Sequence, residues 1–245
     1  MLKGFWKLTW VETKIFVREP MGVIGSIGIP VFLFLVLGRT LGAGRSGTSP
    51  APQTPFNVAI LAALMIAVSA VVSLAAVISI YREGGILKRL RATPLSPITI
   101  LGAQVLIKLA FTVLSLGLMV LLGRRILPGV ITVNLPSFTA ALLLGTLSIL
   151  SLGFVIASLV PAARFAQPIS GALLYPMVAL SGLFFPVESL PPLLRIMALC
   201  FPTTHAVRLM QGVWDGAGWH LPSAAALVVI FAACTAVSTR VFRWE

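Results

Sequence analysis

The stretch FNVAILAALMIAVSAVVSLAAVISI, from Phe56 to Ile80, decides the fold class. It contains no Asp, Glu, Lys or Arg. An α-helix needs about 20 apolar residues to cross the ~30 Å hydrocarbon core of a bilayer. Strands of a membrane barrel are shorter and alternate in polarity, whereas this run is continuous. We therefore predict a transmembrane α-helix, which satisfies its own backbone hydrogen bonds in lipid.

Five further apolar runs flank this stretch and predict an all-α, polytopic membrane protein. The six predicted spans are Met21–Gly38, Phe56–Ile80, Ile98–Gly123, Phe138–Val160, Pro168–Pro186 and Leu221–Thr239. The third run is longer than the core requires at 1.5 Å per residue. We expect its first part, Ile98–Lys108, to be interfacial, with the Lys108 ammonium reaching the headgroups. Residues 1–20 then form an N-terminal cytoplasmic helix, and residues 21–245 form the transmembrane domain.

The composition of the whole chain supports this class and excludes others. Hydrophobic residues make up 58% and charged residues 10% of the 245 residues, and the mean hydropathy is +1.06. A soluble domain carries roughly 25% charged residues, so a soluble enzyme is excluded, as is a disordered or collagenous chain. Cys200 and Cys234 form no CxxC pattern, so the sequence supports neither a disulfide framework nor a metal site.

The positive residues predict the orientation. The net charge is +12, and the cations lie between apolar runs, where they favour contact with anionic lipid rather than nucleic acid. The side that holds both termini carries twelve of them: Lys3, Lys7, Lys14, Arg18, Arg82, Lys88, Arg89, Arg91, Lys108, Arg164, Arg240 and Arg243. The other side carries six: Arg39, Arg45, Arg124, Arg125, Arg195 and Arg208. Both termini are therefore predicted to be cytoplasmic.

The first twenty residues are predicted to form an amphipathic interfacial helix. At about 100° per residue, the basic side chains Lys3, Lys7, Lys14 and Arg18 share one arc. A separate apolar arc holds Leu2, Phe5, Trp6, Trp10, Phe16 and Val17. Such a helix lies along the inner leaflet. A cleaved signal peptide is disfavoured by the acids Glu12 and Glu19, and a plain lipid anchor stays an alternative.

The most charged stretch, YREGGILKRLRATPLSP from Tyr81 to Pro97, is a second informative segment. Glu83 suits the first turn of a short helix, because anions are favoured there. Pro94 ends that helix, because the residue before a proline avoids the helical region. A rigid cytoplasmic helix of this kind can take a mechanical push from a soluble partner. The alternative is an ordinary positive-inside loop.

A third segment, Leu173–Arg208, predicts an irregular end of the fifth span. Pro176 interrupts the span and Pro186 ends it. The following apolar stretch, Leu193–Phe201, is too short to cross and is expected to be an outer re-entrant or interfacial helix. Polar or aromatic residues that could line a substrate path are Asn57, Ser181, Phe184 and Phe185. Phe184 and Phe185 could equally pack, and serines in membrane helices often bond their own backbone carbonyls.

Several kinds of chemistry have no sequence support. No Asp or Glu lies inside a predicted span, which disfavours a carrier driven by ion gradients. There is no G-x-x-x-x-G-K-[ST], so the chain holds no phosphate-cradling loop for ATP. A membrane-embedded lipid-modifying enzyme would show clustered His, Asp or Glu, and an assembly factor for cytochromes would show haem-type histidines. Both alternatives stay open, and neither pattern is seen.

Three motifs in this order resemble the permease subunits of type-2 ABC exporters, in particular the drug-resistance and polysaccharide-export branch. The first is Arg18-Glu19-Pro20 before a span that contains Pro30. The second runs from Arg82-Glu83-Gly84-Gly85 through Lys88-Arg89-Leu90 to Thr93-Pro94-Leu95-Ser96. The third is Ser181-Gly182-Leu183-Phe184-Phe185-Pro186 with Leu190-Pro191 and Phe201-Pro202-Thr203-Thr204. The sequence departs from many members at Ile86-Leu87, where they carry a polar residue.

The resemblance implies a complex and a division of labour. Two copies of this permease, or one with a sister, would join two soluble ATPase subunits that bind ATP and Mg. This chain would bind no cofactor, catalyse no reaction and contact membrane lipid. A coupling helix would contact the ATPase through Arg82, Glu83, Gly84, Gly85, Lys88, Arg89, Arg91, Thr93 and Pro94, with the N-terminal helix in support. The substrate path would run along the dimer interface, lined by the second and fifth spans.

The topology predicts which positions are reachable from each side of the membrane. Cysteines placed at Ser46 and Gly218 should be labelled from outside by an impermeant maleimide, and those at Ser96 and Glu245 only after the membrane is opened. The cation asymmetry is the reason. Labelling of Ser96 from outside in intact cells would contradict the topology.

Overall fold

The computed structural model describes residues 2–18, 20–43, 58–85, 97–126, 134–159 and 163–241. Within these ranges the regular structure is helical and no strand occurs, which confirms the all-α class. The α-helices are α1 Leu2–Arg18, α2 Pro20–Val23, α3 Ile29–Ala43, α4 Val58–Glu83, α5 Pro97–Ile126, α6 Leu135–Leu159, α7 Ala163–Ala179, α8 Pro192–Cys200, α9 Pro202–Trp214 and α10 Leu221–Val241. A π-helical segment, Ile24–Gly28, joins α2 to α3.

Four of these helices are long and apolar enough to cross a membrane. Their candidate spans are Ala63–Tyr81, Gly102–Ile126, Leu135–Ser158 and Leu221–Ser238. The first and fifth predicted spans coincide with the shorter apolar helices Ile24–Thr40 and Pro168–Ala179. The chain is therefore a multi-pass membrane protein, and the count of six spans stays a prediction.

The fifth predicted span ends earlier than Pro186. Although α7 contains both Pro168 and Pro176, it ends at Ala179 and is followed by bends. Gly182 has a φ of +87°, which lies in the left-handed region that favours glycine. A Cβ at Gly182 would also lie 2.9 Å from Cγ2 of Val187. The chain therefore turns back at Gly182.

The segment that packs among the long helices after this turn is α9. The stretch Leu193–Phe201, which was expected to be a re-entrant or interfacial helix, forms α8 and leaves Leu193 and Ile196 exposed. Helix α9 instead contacts α4, α6, α7 and α10. The Thr203 hydroxyl, fully buried, donates a hydrogen bond of 2.8 Å to the Met177 carbonyl of α7. The polar start of α9 hid this from the sequence, because the partner of the Thr203 hydroxyl lies on α7, distant along the chain.

Helix α5 corrects the expectation for Lys108. It is continuous from Pro97 to Ile126, and its Lys108 side chain is only 3% exposed. Lys108 therefore lies within the helix packing and does not reach out from it. The prediction that Ile98–Lys108 is a separate interfacial piece was wrong at this residue.

The centre of the packing is α6, which contacts α4, α9 and α10 along much of its length. Two glycines permit this close approach. A Cβ at Gly153 would lie 3.0 Å from Cγ1 of Val71 in α4, and one at Gly145 would lie 3.0 Å from Cβ of Ala206 in α9. Small residues at such crossings let helix backbones approach one another in membranes.

The close approach of α4 and α6 predicts a sharp response at Gly153. Gly153→Leu should destabilise the protein by about 1–3 kcal/mol, because overpacking forces neighbours apart. The measurement is the midpoint of thermal unfolding in detergent. Gly117→Leu in α5 is the matched control, because nothing lies within 4 Å of a Cβ there. Equal losses for the two variants would contradict the crossing.

Candidate coupling site and the polar seam beside it

The predicted coupling segment begins at the last turn of α4. The Gly84 N–H donates to the Ile80 carbonyl at 2.9 Å, and Gly85 has a φ of +64°. A glycine in this conformation is a common way to end a helix. Glu83, which is exposed, is therefore the last residue of α4 and does not begin a new helix as predicted. The correction follows from the two glycines, which break the helix after Glu83.

The rest of the predicted coupling set cannot be placed. Lys88, Arg89, Arg91, Thr93 and Pro94 lie outside the described residues, as does the side chain of Arg82.

Helix α1 packs lengthwise against α5. The ring of Phe16 is 4.5 Å from that of Phe111 between centroids. The predicted apolar arc is divided by this contact, because Phe16 is buried whereas Trp6 and Trp10 stay exposed. The predicted basic residues Lys7, Lys14 and Arg18 are exposed. The side chain of Lys3 is not among the side chains that the structure describes.

A buried acid ties α1 to the end of α4. Glu12 is 7% exposed, and its Oε1 accepts a hydrogen bond of 2.5 Å from the Tyr81 hydroxyl. This bond joins α1 to the residue just before Arg82, where the coupling segment begins.

A buried lysine ties α5 to the same two helices. The Lys108 Nζ donates to the Ser73 Oγ of α4 at 2.7 Å and lies 4.1 Å from the ring centroid of Phe16 in α1. An ammonium over an aromatic face is attracted by the ring quadrupole, and more so when water is excluded. The two buried charged residues thus sit on either side of Phe16 along the α1 contact.

Polar residues continue along α5 away from Lys108. Gln104, Lys108, Thr112 and Ser115 follow helical spacing and are all buried. The Ser115 hydroxyl contacts the Ser26 carbonyl in the π-helical segment at 3.4 Å. We use the name polar seam for these α5 side chains together with their polar neighbours on α1, α4 and the π-helical segment. Its members are Glu12, Ser26, Ser73, Tyr81, Gln104, Lys108, Thr112 and Ser115.

The sequence offered signals for the seam. Glu12 lies about 20° from Phe5 and about 40° from Phe16 around the helix axis, on the side opposite the basic arc. An acid in that position indicates a buried partner rather than solvent. Lys108 is an ionisable residue inside an apolar run, which by default indicates a functional contact. Neither signal named Tyr81 or Ser73, because only the packing brings them together.

The described residues that were predicted to line a substrate path differ in their exposure. Ser181 is fully buried, and its hydroxyl donates to the Val178 carbonyl at 2.6 Å. This is the local backbone bond that was the alternative for serines. Phe184 and Phe185 are exposed, and Asn57 lies outside the described residues. Among the described residues no group of three or more His, Cys, Asp or Glu could hold a metal ion.

The chain is similar to known membrane transport proteins. Residues 3–214 match the model of the family described as "ABC-2 type transporter". The chain is also 30% identical over 145 residues to "Inner membrane transport permease YhhJ" of Escherichia coli (strain K12), and the same holds for the protein of that name from Shigella flexneri. The match covers 57% of this chain and 38% of each relative, so it extends over less than half of their length.

The bond between Tyr81 and Glu12 predicts an asymmetric response. Tyr81→Phe should destabilise the protein by about 1–3 kcal/mol, because the buried Glu12 loses its donor. Glu12→Gln should cost less, because an amide oxygen can still accept from the tyrosine. Thermal unfolding in detergent measures both.

The chain supplies a matched control, since it has two tyrosines. Tyr175 is 67% exposed, so Tyr175→Phe should stay within about 0.5 kcal/mol of the parent protein. If Tyr81→Phe were as mild as Tyr175→Phe, the bond would contribute nothing to stability.

Proposed function

The chain belongs to the ABC-2 type transporter family, and on that premise we propose that it is the permease subunit of an ATP-driven exporter. It moves an amphipathic compound, such as a drug, a lipid-like molecule or a lipid-linked glycan, outward across the cytoplasmic membrane. The absence of a phosphate-cradling motif supports placing ATP and Mg on a separate ATPase subunit. The chain itself performs transport and no chemistry.

One observation carries the mechanical part of this proposal, namely the pair of contacts at Glu12 and Lys108. They join α1, α4 and α5: the Glu12 contact is at Tyr81, directly before the segment Arg82–Pro94, and the Lys108 contact is at Ser73, further back along α4. A push on that segment would therefore move three helices together rather than bend one helix end. A partner that closes on ATP and reopens after hydrolysis needs such a stiff attachment to do work on the membrane part.

The complex is proposed to contain two ATPase copies and a second permease, most simply another copy of this chain. The path for the amphipathic compound then runs between the two permeases. In each copy it is lined by the second and fifth predicted spans. The outer end of the second span carries Asn57, and the outer end of the fifth carries Ser181, Phe184 and Phe185. The twelve-to-six distribution of cations supports an inner-membrane location with cytoplasmic termini.

The coupling role predicts a loss of transport without loss of folding. Glu83→Ala should lower efflux and the ATPase activity stimulated by transport, and the double change Lys88→Ala/Arg89→Ala should weaken ATPase association in a salt-dependent way. Exposed substitutions cost within about 0.5 kcal/mol, so insertion should stay normal. The measurements are co-purification of the ATPase and efflux of fluorescent amphipathic dyes.

A control with the same loss of charge is Arg124→Ala/Arg125→Ala, at the far end of α5 from the coupling segment. This control should leave ATPase association unchanged. Unchanged association and efflux in all the coupling variants would reduce Arg82–Pro94 to an orientation signal.

A further inference from the structure

The two histidines of the chain lie together where α8, α9 and α10 meet. His205 belongs to α9, and His220 directly precedes α10. The side chain of Ser223, which is 1% exposed, lies between them. Its Oγ is 2.8 Å from Nδ1 of His220 and 3.5 Å from Nδ1 of His205.

The hydrogen-bond partners of each histidine ring determine which ring nitrogen carries the proton when the ring is neutral. Nε2 of His205 is 2.9 Å from the Leu199 carbonyl at the end of α8, and a carbonyl only accepts, so Nε2 carries a proton. The Ser223 backbone N–H donates to Nδ1 of His220 at 3.3 Å, so that nitrogen carries a lone pair. With a lone pair on that nitrogen, the Ser223 hydroxyl at 2.8 Å is the donor in their contact, and its single proton is then not available to His205.

This assignment leaves one contact unsatisfied. The Ser223 oxygen presents a lone pair toward His205, and the Nδ1 of a neutral His205 presents another. The separation of 3.5 Å is at the outer limit for a hydrogen bond. A second proton on the His205 ring would turn this contact into an N–H donated to the Ser223 oxygen.

We propose that His205 is a proton switch. When protonated, it completes a chain of hydrogen bonds from the Leu199 carbonyl through His205 and Ser223 to His220, and so ties α8 and α9 to α10. An imidazole changes charge between about pH 5 and 8, so acid conditions set the switch.

The same contacts disfavour His220 as the group that takes the proton. A proton on Nδ1 of His220 would deprive the Ser223 N–H of its acceptor. It would also place a cation at the N-terminus of α10, where the helix dipole opposes it. His205 instead bonds the C-terminal end of α8, where a cation is favoured.

The charges around the pair are compatible with a cationic His205. Arg208, one turn further along α9, is paired with Glu188 at 2.7 Å, so its charge is offset. Helix α6 has no titratable side chain. The structure describes further titratable side chains on the turn after α9 and on the helices that pack against α9. They are Tyr81, Glu83, Arg164, Tyr175, Arg195, Cys200, Asp215, Cys234 and Arg240.

The turn that carries His220 is fixed against α9, so a change at the pair reaches both helices. The Gly218 N–H donates to the Gly212 carbonyl at 3.0 Å. A Cβ at Gly212 would lie 2.8 Å from the Gly218 carbonyl oxygen and 3.9 Å from Cβ of His220. On the proposed topology this end faces outside, so an acidic exterior would restrain it. The outward orientation of this end rests on the proposed function, whereas the switch itself does not.

Hydrogen exchange of the full chain in lipid nanodiscs tests the switch. Protection factors for residues 202–209 and 221–227, corrected for intrinsic exchange, should rise about ten-fold from about pH 7.5 to about pH 5.5, the effect of one charge-assisted hydrogen bond. His205→Gln keeps an N–H for Leu199 but cannot take the proton, so its protection should not rise. His220→Asn keeps an acceptor for Ser223, so the rise should persist.

Two outcomes would overturn the proposal: no rise in the parent protein, or a rise that persists in His205→Gln. If that persistent rise is lost in His220→Asn, His220 takes the proton instead. If a variant fails to fold, nitrogen NMR of the two ring systems in the parent protein decides. A His205 that carries its proton on Nδ1 rather than Nε2 at about pH 7.5 would contradict the assignment. Neither measurement needs the ATPase or a cargo, so either can fail while the permease proposal stands.

Discussion

The arrangement of the helices depends on how closely α6 approaches its neighbours. At Gly153 and Gly145 there is no room for a side chain against α4 and α9. Lipid tails are as apolar as the side chains, so helices in a bilayer gain little by hiding apolar surface and associate largely through tight contact and polar bonds. With α6 in the centre, α4, α9 and α10 are placed around it. Helices α3 and α5 follow from their contacts with α4, and α1 follows from its contact with α5.

The second requirement is that the ionisable side chains Glu12 and Lys108, taken into this packing, find partners. An unpartnered buried charge would be costly, and removal of one member of a hydrogen-bonded pair leaves the other exposed to that cost. Glu12 has Tyr81, and Lys108 has Ser73 and the face of Phe16. These bonds are directional, so they fix the rotation of α1 about its axis, which apolar contact alone would leave loosely defined. That rotation also turns Lys7, Lys14 and Arg18 outward.

The sequence was a good guide wherever apolar length alone decides the outcome. The all-α class and four long spans follow from runs such as Phe56–Ile80, because a continuous apolar segment has few alternatives in a bilayer. It was a poor guide where packing decides. Glu83 was assigned to a new helix, since the dipole rule takes no account of Gly84 and Gly85. Lys108 was predicted to reach the headgroups because its partners on α4 and α1 are distant in the sequence. The packing of α9 was missed for the same reason.

The π-helical segment Ile24–Gly28 has a consequence for the register of the first apolar helix. A π turn contains one residue more than an α turn and is found mostly as a local bulge at functional sites. The added residue rotates everything after it by about 100° relative to an uninterrupted α-helix. Ser26 can thereby direct its carbonyl to Ser115 on α5, while Phe34, two turns later, is fully buried in the core beside α4. Deleting a single residue from this segment would thus rotate one half of the helix away from its neighbour. The helix could then no longer contact α5 before the π turn and α4 after it.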